Sequence, residues 1–226
     1  MTNLAIFDLD NTLINTDSDN TWPQYLMKKG VVDAEYVRIR NDKFYQDYKN
    51  GCLDIDEFLA FQLEPLSRFS KQELAEMHRE FTEEFIQPHI TNMAKMLVDS
   101  HRAAGDQLLV ISSTNEFIIT PISHLFGITE VIGTSLETGA DGRYTGRYVG
   151  IPSLKEGKIT RLEQWLAARG ETLADYEKSY FYSDSHNDLP LLRYVSDPVA
   201  LNPEDILLRD AAEKGWPVLN LIKGNR

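Results

Sequence analysis

The sequence predicts an α/β protein, with a mainly parallel central sheet flanked by helices and a small helical cap inserted after the first strand. Three observations carry that expectation. Short apolar segments, Leu4 to Phe7, Gln107 to Ile111 and Ser179 to Ser183, each run straight into polar side chains. From Thr91 onward such segments alternate with helical patterns, the rhythm of parallel strand–helix units. Between the first and second of them only helical periodicity is found, as far as about Pro88. The expected division is a core of residues 1–14 and 91–226 and a cap of residues 15–90.

The first strand delivers Asp8, and Asp10 and Thr12 follow at intervals of two. Residues two apart in extended backbone point the same way, so these side chains converge on one small volume. Two carboxylates held that close repel, and one pKa rises unless a cation or a shared proton lies between them. A solvated turn is the plainer reading, because Asp and Asn are common turn formers.

In the cap, Asp33 to Asn50 reads as a helix with Val37, Asn41, Phe44 and Tyr48 in one stripe. Asp54 or Asp56 caps the next, whose face carries Ile55, Phe58, Leu59, Gln62 and Leu66 before Pro65 interrupts it. Ser70 and Glu73 match a capping box, followed by Leu74, Met77, Phe81 and Phe85. Residues 15–90 hold 15 Asp plus Glu against 9 Lys plus Arg, most of it solvated helix surface. Asp17 and Asp19 lie just past the first turn and before an established helix; they serve either as caps or as contacts for a cationic group on a substrate.

After the cap, a helix with Met93, Met96, Leu97 and Ala104 stops at Gly105. The strand Gln107 to Ile111 ends in Ser112-Ser113-Thr114-Asn115 and leads into a helix from about Glu116 to Leu125. Hydroxyls and free N–H groups at such a junction form an anion site, although simple N-capping uses the same residues. Thr129 to Thr134 is a short strand, and Asp141-Gly142 turns a hairpin. Gly157-Lys158 opens a helix whose inner face is Ile159, Leu162, Trp165 and Leu166. A lysine at the positive end of a helix is misplaced unless an anion waits there, and Lys155 competes for that role. Ser179 to Ser183 ends in Asp184-Ser-His-Asn-Asp188; a strand Asp197 to Leu201, a helix of about Pro203 to Lys214 and an edge strand Val218 to Leu221 complete the chain.

Composition narrows the function. The net charge of -12 leaves no basic stripe for nucleic acid. No apolar run approaches the ~18 residues of a membrane span, and the start lacks a signal-peptide pattern. The single cysteine, Cys52, forms no internal disulfide, so a reducing cytoplasm is expected. His78, His89, His101, His124 and His186 show no metal-ligand spacing, which argues against a zinc centre. No protein partner is implied.

Taken in order, Asp8-Leu-Asp-Asn-Thr12, Ser112, Lys158 and Asp184-Ser-His-Asn-Asp188 resemble the four motifs of the haloacid dehalogenase-like phosphohydrolases. The resemblance implies a Rossmann-like core and a Mg²⁺-dependent phosphomonoesterase. In that scheme Asp8 is the nucleophile that forms an aspartyl-phosphate, and Asp10 is the general acid and base. Mg²⁺ is held by Asp8, the Asp10 backbone carbonyl and Asp184. Ser112 and Lys158 bind the phosphoryl oxygens, Ser113 and Asn187 being further phosphate-binding candidates. Asp188 and Thr12 stand behind these groups, Asp188 orienting the lysine.

The helical insertion between the first two motifs is similar to the phosphoserine-phosphatase-like branch, subfamily IB. The stretches Asp8 to Trp22, Arg40 to Tyr48, Gly150 to Lys158 and Tyr182 to Asp188 resemble bacterial proteins assigned as histidinol-phosphate phosphatases. The implied substrate is a small phosphate monoester, L-histidinol phosphate ahead of phosphoserine, with Asp17, Asp19, Arg40 and Asn41 as candidate specificity residues. Ser113-Thr114 replace the two glycines that usually follow the hydroxyl motif in phosphoserine phosphatases. A phosphotransferase or a phospho-ligand-binding protein on the same fold is the alternative.

Overall fold

Strand β1 (Leu4–Phe7) lies at the centre of a seven-stranded sheet. The structure, a computed structural model, describes residues 2–221; residues 1 and 222–226, the ends of the expected core, lie outside it. Among the described residues the remaining strands are β2 (Gln107–Asn115), β3 (Val131–Thr138), β4 (Tyr144–Val149), β5 (Ser179–Ser183), β6 (Asp197–Leu201) and β7 (Val218–Leu219). Their order is β4-β3-β2-β1-β5-β6-β7, parallel throughout except for the β3–β4 hairpin. The chain builds outward from β1 through β2 and β3, then crosses to the other side at β5. Open α/β sheets bind ligands at such a reversal, outside the C-terminal strand ends.

Side chains alternate across the sheet with the strand's period of two. Ala5 and Phe7 enter one apolar cluster with α5 (Asn92–Ala104) and α6 (Glu116–His124); Leu4 and Ile6 enter another with α7 (Glu156–Ala168), α8 (Leu189–Leu192) and α9 (Asp205–Lys214). The first cluster continues without a break into the helices of the β1–β2 connection through Trp22, Tyr25, Leu59 and Phe81. Those helices are α1 (Ser18–Lys28), α2 (Ala34–Lys49), α3 (Ile55–Leu63) and α4 (Lys71–Phe81). Asp33 and Asp54 cap α2 and α3, and Ser70 and Glu73 form the expected capping box of α4. No described helix is long and apolar enough to cross a membrane.

Two elements depart from the sequence reading. Helix α1 begins at Ser18, directly after the first turn, with Asp17 as its N-cap. Its interior Pro23 removes the donor to the carbonyl four residues earlier, and the proline ring crowds that carbonyl. That carbonyl, Asp19 O, receives the Gln62 side-chain amide at 2.6 Å instead. In α5 the expected Met93 and Met96 lie on the exposed side, and the buried face is Ala94, Val98 and His101. His101 is buried there because both ring nitrogens are engaged, by Asp106 and by the Tyr182 hydroxyl, each at 2.7 Å.

Candidate active site

Parallel register sets the site. Phe7 pairs with Val110 on one side and Tyr182 on the other, so Asp8, Ser112 and Asp184 emerge from three neighbouring strand ends. Asn11 takes a left-handed conformation (φ 55°), which Asn tolerates better than most residues. The Asn202 amide donates to the Asn11 and Thr12 carbonyls at 3.2 and 3.3 Å. This turn brings the Thr12 hydroxyl back over the strand end, within 3.2 Å of Asp8 Oδ2 and 3.4 Å of Asp184 Oδ1. The Asp184 backbone N–H donates to the same hydroxyl at 3.2 Å.

Lys158 reaches this point from the first turn of α7. It is 1% exposed, and its ammonium donates to Asp8 Oδ1 at 2.9 Å and to Asp188 Oδ2 at 2.7 Å. The Ser183 hydroxyl donates to that same Asp188 oxygen at 2.7 Å. Gly157 makes the approach of the helix possible: a Cβ there would lie 2.1 Å from the Pro152 carbonyl oxygen. Lys155, the competing candidate, donates instead to the Gly51 carbonyl at 2.8 Å.

Asp10 is held differently. Its Oδ1 accepts from the Ser18 backbone N–H at 2.7 Å, and its Oδ2 accepts from the Thr114 hydroxyl at 2.8 Å. The carboxyl is thereby turned toward α1 and away from Lys158. Ser112 is buried and its hydroxyl accepts from the Thr114 backbone N–H at 3.2 Å. The register of β2 against β3 shifts between Ile111 and Asn115, which opens this serine run toward the cavity.

Burial pushes Asp8 and Asp10 up to about 7, in Asp8 against the opposing pull of Lys158. Asp184 is raised well above the usual range by burial and then by Asp8. Burial would lower Lys158, but Asp188 and Asp8 outweigh it and hold the ammonium at about 12. Lys158 is shared by Asp8 and Asp188, while among the described residues Asp10 and Asp184 have no ion-pair partner within reach, a deficit of positive charge that a divalent cation would fill. Among the described residues no three His, Cys, Asp or Glu side chains gather as a metal cluster. Two carboxylates with a backbone carbonyl are all oxygen donors, and so small a protein share suits Mg²⁺, which keeps several waters.

A cavity opens between these strand ends and helices α1, α2 and α3. Asp8, Asp10, Asp17, Asp19, Asn41, Ser112, Ser113 and Asp184 line it, facing Phe44, Tyr45, Tyr48 and Phe58. Two expected residues are turned elsewhere. The Arg40 guanidinium stacks on the Phe44 ring at 4.6 Å and pairs with Glu57 at 2.7 Å. Buried Asn187 does not line the cavity; its amide donates to the Tyr48 carbonyl at 3.2 Å, tying the loop after β5 to α2. Asn41 lines the cavity, but its amide donates to the Asn20 carbonyl at 2.9 Å. Thr114 was foreseeable from its strand spacing of two from Ser112. Ser183 and Asn202 gave no sequence signal, since their partners are set only by the tertiary fold.

This arrangement is a phosphohydrolase-like site on a doubly wound sheet, and comparison with known proteins gives the family. The model of the haloacid dehalogenase-like hydrolases matches residues 5–193, and the chain belongs to that family. A histidinol-phosphatase of Neisseria meningitidis is 72% identical over 97% of this chain and 99% of its own. A phosphoserine phosphatase of Mycobacterium tuberculosis is 30% identical over 96% of this chain and 70% of its own. A solved structure of a Bordetella pertussis protein of unknown function superposes with a TM-score of 0.93 at 43% identity, covering 98% of this chain and all of that one.

Proposed function

We propose that this protein is a Mg²⁺-dependent phosphomonoesterase that hydrolyses L-histidinol phosphate. The observation that carries the chemistry is the unequal setting of two carboxyls at one strand end: Asp8 faces Lys158, and Asp10 faces the helix side of the cavity. Asp8 attacks phosphorus and takes the phosphoryl group, while Asp10 gives its proton to the departing alkoxide. Asp10 then deprotonates the water that cleaves the aspartyl-phosphate. Lys158 and the Ser112 hydroxyl bind the phosphoryl oxygens as charge spreads over them. Asp188 positions the lysine, and Thr12 fixes Asp8 against Asp184. Asp8, the Asp10 carbonyl and Asp184 would hold Mg²⁺, which when bound neutralises the phosphoryl oxygens facing Asp8. Residues 15–90 act as the cap that covers the leaving group.

The substrate follows from the relative at 72% identity and from the cavity itself. Toward α1, α2 and α3 the lining is acidic and aromatic, with Asp17, Asp19, Phe44, Tyr48 and Phe58, which suits a cationic leaving group better than the carboxylate of phosphoserine. Histidinol phosphate carries an ammonium and an imidazole and lacks that carboxylate. The test is kcat/KM for L-histidinol phosphate, L-phosphoserine and sugar phosphates with Mg²⁺, alongside Asp8→Asn. Histidinol phosphate is expected to lead, Asp8→Asn to be inactive, and EDTA to stop turnover reversibly. A phosphoserine preference of ~tenfold, about 1.4 kcal/mol in transition-state binding, overturns the substrate. Metal-independent turnover by the Asn variant overturns the mechanism.

A further inference from the structure

Asp17 and Asp19 stand two residues apart beside the same cavity, but the fold gives them different work. Asp17 is committed to α1: its carboxylate accepts the Asn20 backbone N–H at 2.8 Å as the N-cap. Asp19 has no such duty. Its Oδ1 is shielded from solvent and meets no hydrogen-bond donor among the described residues. A buried carboxylate oxygen without a donor is strongly unfavourable, and structures keep one where a ligand supplies the missing charge.

The position of Asp19 is also fixed with unusual care. Pro23 strips its carbonyl of a helical donor, and Gln62 of α3 fills that vacancy at 2.6 Å. One residue on, the Asn20 carbonyl takes the Asn41 amide of α2 at 2.9 Å. Two neighbouring helices therefore clamp the backbone of one turn, while its carboxylate, which the Thr114 hydroxyl meets, keeps one shielded oxygen without a donor among the described residues. The cavity wall supplied by α2 and α3 is aromatic, from Phe44, Tyr48 and Phe58.

We infer that Asp19 is the specificity residue that receives a cationic nitrogen of the leaving group, with the aromatic wall holding a flat ring, and that it repels esters bearing a carboxylate. The inference rests on the phosphatase reading and names the residue through which that site chooses its substrate.

The test uses Mg²⁺-loaded wild type and Asp19→Asn. Kinetically, the variant is expected to raise KM for L-histidinol phosphate by roughly 30-fold or more, with a smaller change in kcat. By calorimetry, wild type is expected to bind L-histidinol more tightly than L-histidine, and the variant to lose that preference. Without ligand, Asp19→Asn should melt at or above the wild-type temperature, because an amide is cheaper to leave unpaired than a carboxylate. An unchanged KM with unchanged histidinol affinity overturns the inference, as does equal wild-type affinity for the two amines. A lower melting temperature also overturns it, since that would reveal a structural partner. If wild type hydrolyses other esters but not histidinol phosphate, the substrate reading fails by itself. Wild type against Asp19→Asn with 2-aminoethyl phosphate and ethyl phosphate then decides the role of Asp19: a variant that keeps the wild-type preference overturns it.

Discussion

Thr12→Val changes one buried oxygen into a methyl and leaves the shape of the side chain intact. Thr12 is 2% exposed, so no water replaces what is lost. Its hydroxyl accepts from the Asp184 N–H at 3.2 Å and offers its proton to Asp8 Oδ2 at 3.2 Å or Asp184 Oδ1 at 3.4 Å. Stranding a buried N–H costs about 1–3 kcal/mol, and a hydrogen bond to a charged acceptor is worth about 1.5–3 kcal/mol. Bonds that share one hydroxyl are not additive, so about 2–4 kcal/mol of stability should go. Thr12→Ser keeps the oxygen and drops a methyl, costing about 1 kcal/mol. Urea unfolding reads both, through the midpoint at constant m. Because Thr12 orients two candidate metal ligands, the valine variant should also need ~10–100-fold more Mg²⁺ for half-maximal hydrolysis of an aryl phosphate. A valine variant within about 0.5 kcal/mol of the serine variant, with the same Mg²⁺ requirement, refutes the bridging role.

Gly157→Ala forces a Cβ to within 2.1 Å of the Pro152 carbonyl oxygen, so α7 must shift and carry Lys158 with it. The expected result is about 1–3 kcal/mol of destabilisation together with a fall in kcat, and wild-type kcat in a well-folded variant would contradict it. Phe81 is fully buried at ring distances of 5.1 Å from Trp22 and 5.9 Å from Tyr25, so Phe81→Ala should cost about 3–5 kcal/mol in thermal or urea unfolding. Its loss would be much smaller if the helices of the β1–β2 connection were not packed as one with the sheet. Burial lowers the pKa of His78, whose Nε2–H donates to the Ile118 carbonyl at 2.8 Å while its Nδ1 accepts from Thr82 at 2.9 Å. The unfolded chain then takes up the proton first as pH falls, so this contribution to stability is complete above about 6.5 and is lost below it. The unfolding free energy of wild type minus that of His78→Gln should therefore shrink between about pH 8 and about pH 5, and a constant difference would refute the neutral buried state.

The chemistry was legible because it is local. Asp8 and Asp184 directly follow a strand and Ser112 directly follows the apolar run of β2, and such positions are written in a few consecutive residues. Lys158 could be found only as a charge at the wrong end of a helix, and separating it from Lys155 needed the contacts with Asp8 and Asp188. Helix α1 was read only as part of a helical stretch without bounds of its own, and the donor that residue 62 supplies to its Asp19 carbonyl is a pairing that no local pattern reveals. The same limit applies to α5, where a buried histidine takes the place that hydrophobicity assigns to methionine. Arg40 and Asn187 were of the right type for binding, but Glu57 and the Tyr48 carbonyl claim them first.

The clamp on the first turn of α1 has an evolutionary consequence. Ser18 holds Asp10 from that turn, and Asp19 faces the cavity one residue further on. A mutation that moves this turn disturbs proton transfer and substrate choice together, so it is poor raw material for a new specificity. Helices α2 and α3 line the cavity chiefly through the aromatic wall and hydrogen-bond the turn through Asn41 and Gln62. With those two amides kept, the wall can be recoloured freely while the strand-end carboxylates stay in place. Divergence toward other phosphate esters should accumulate there first.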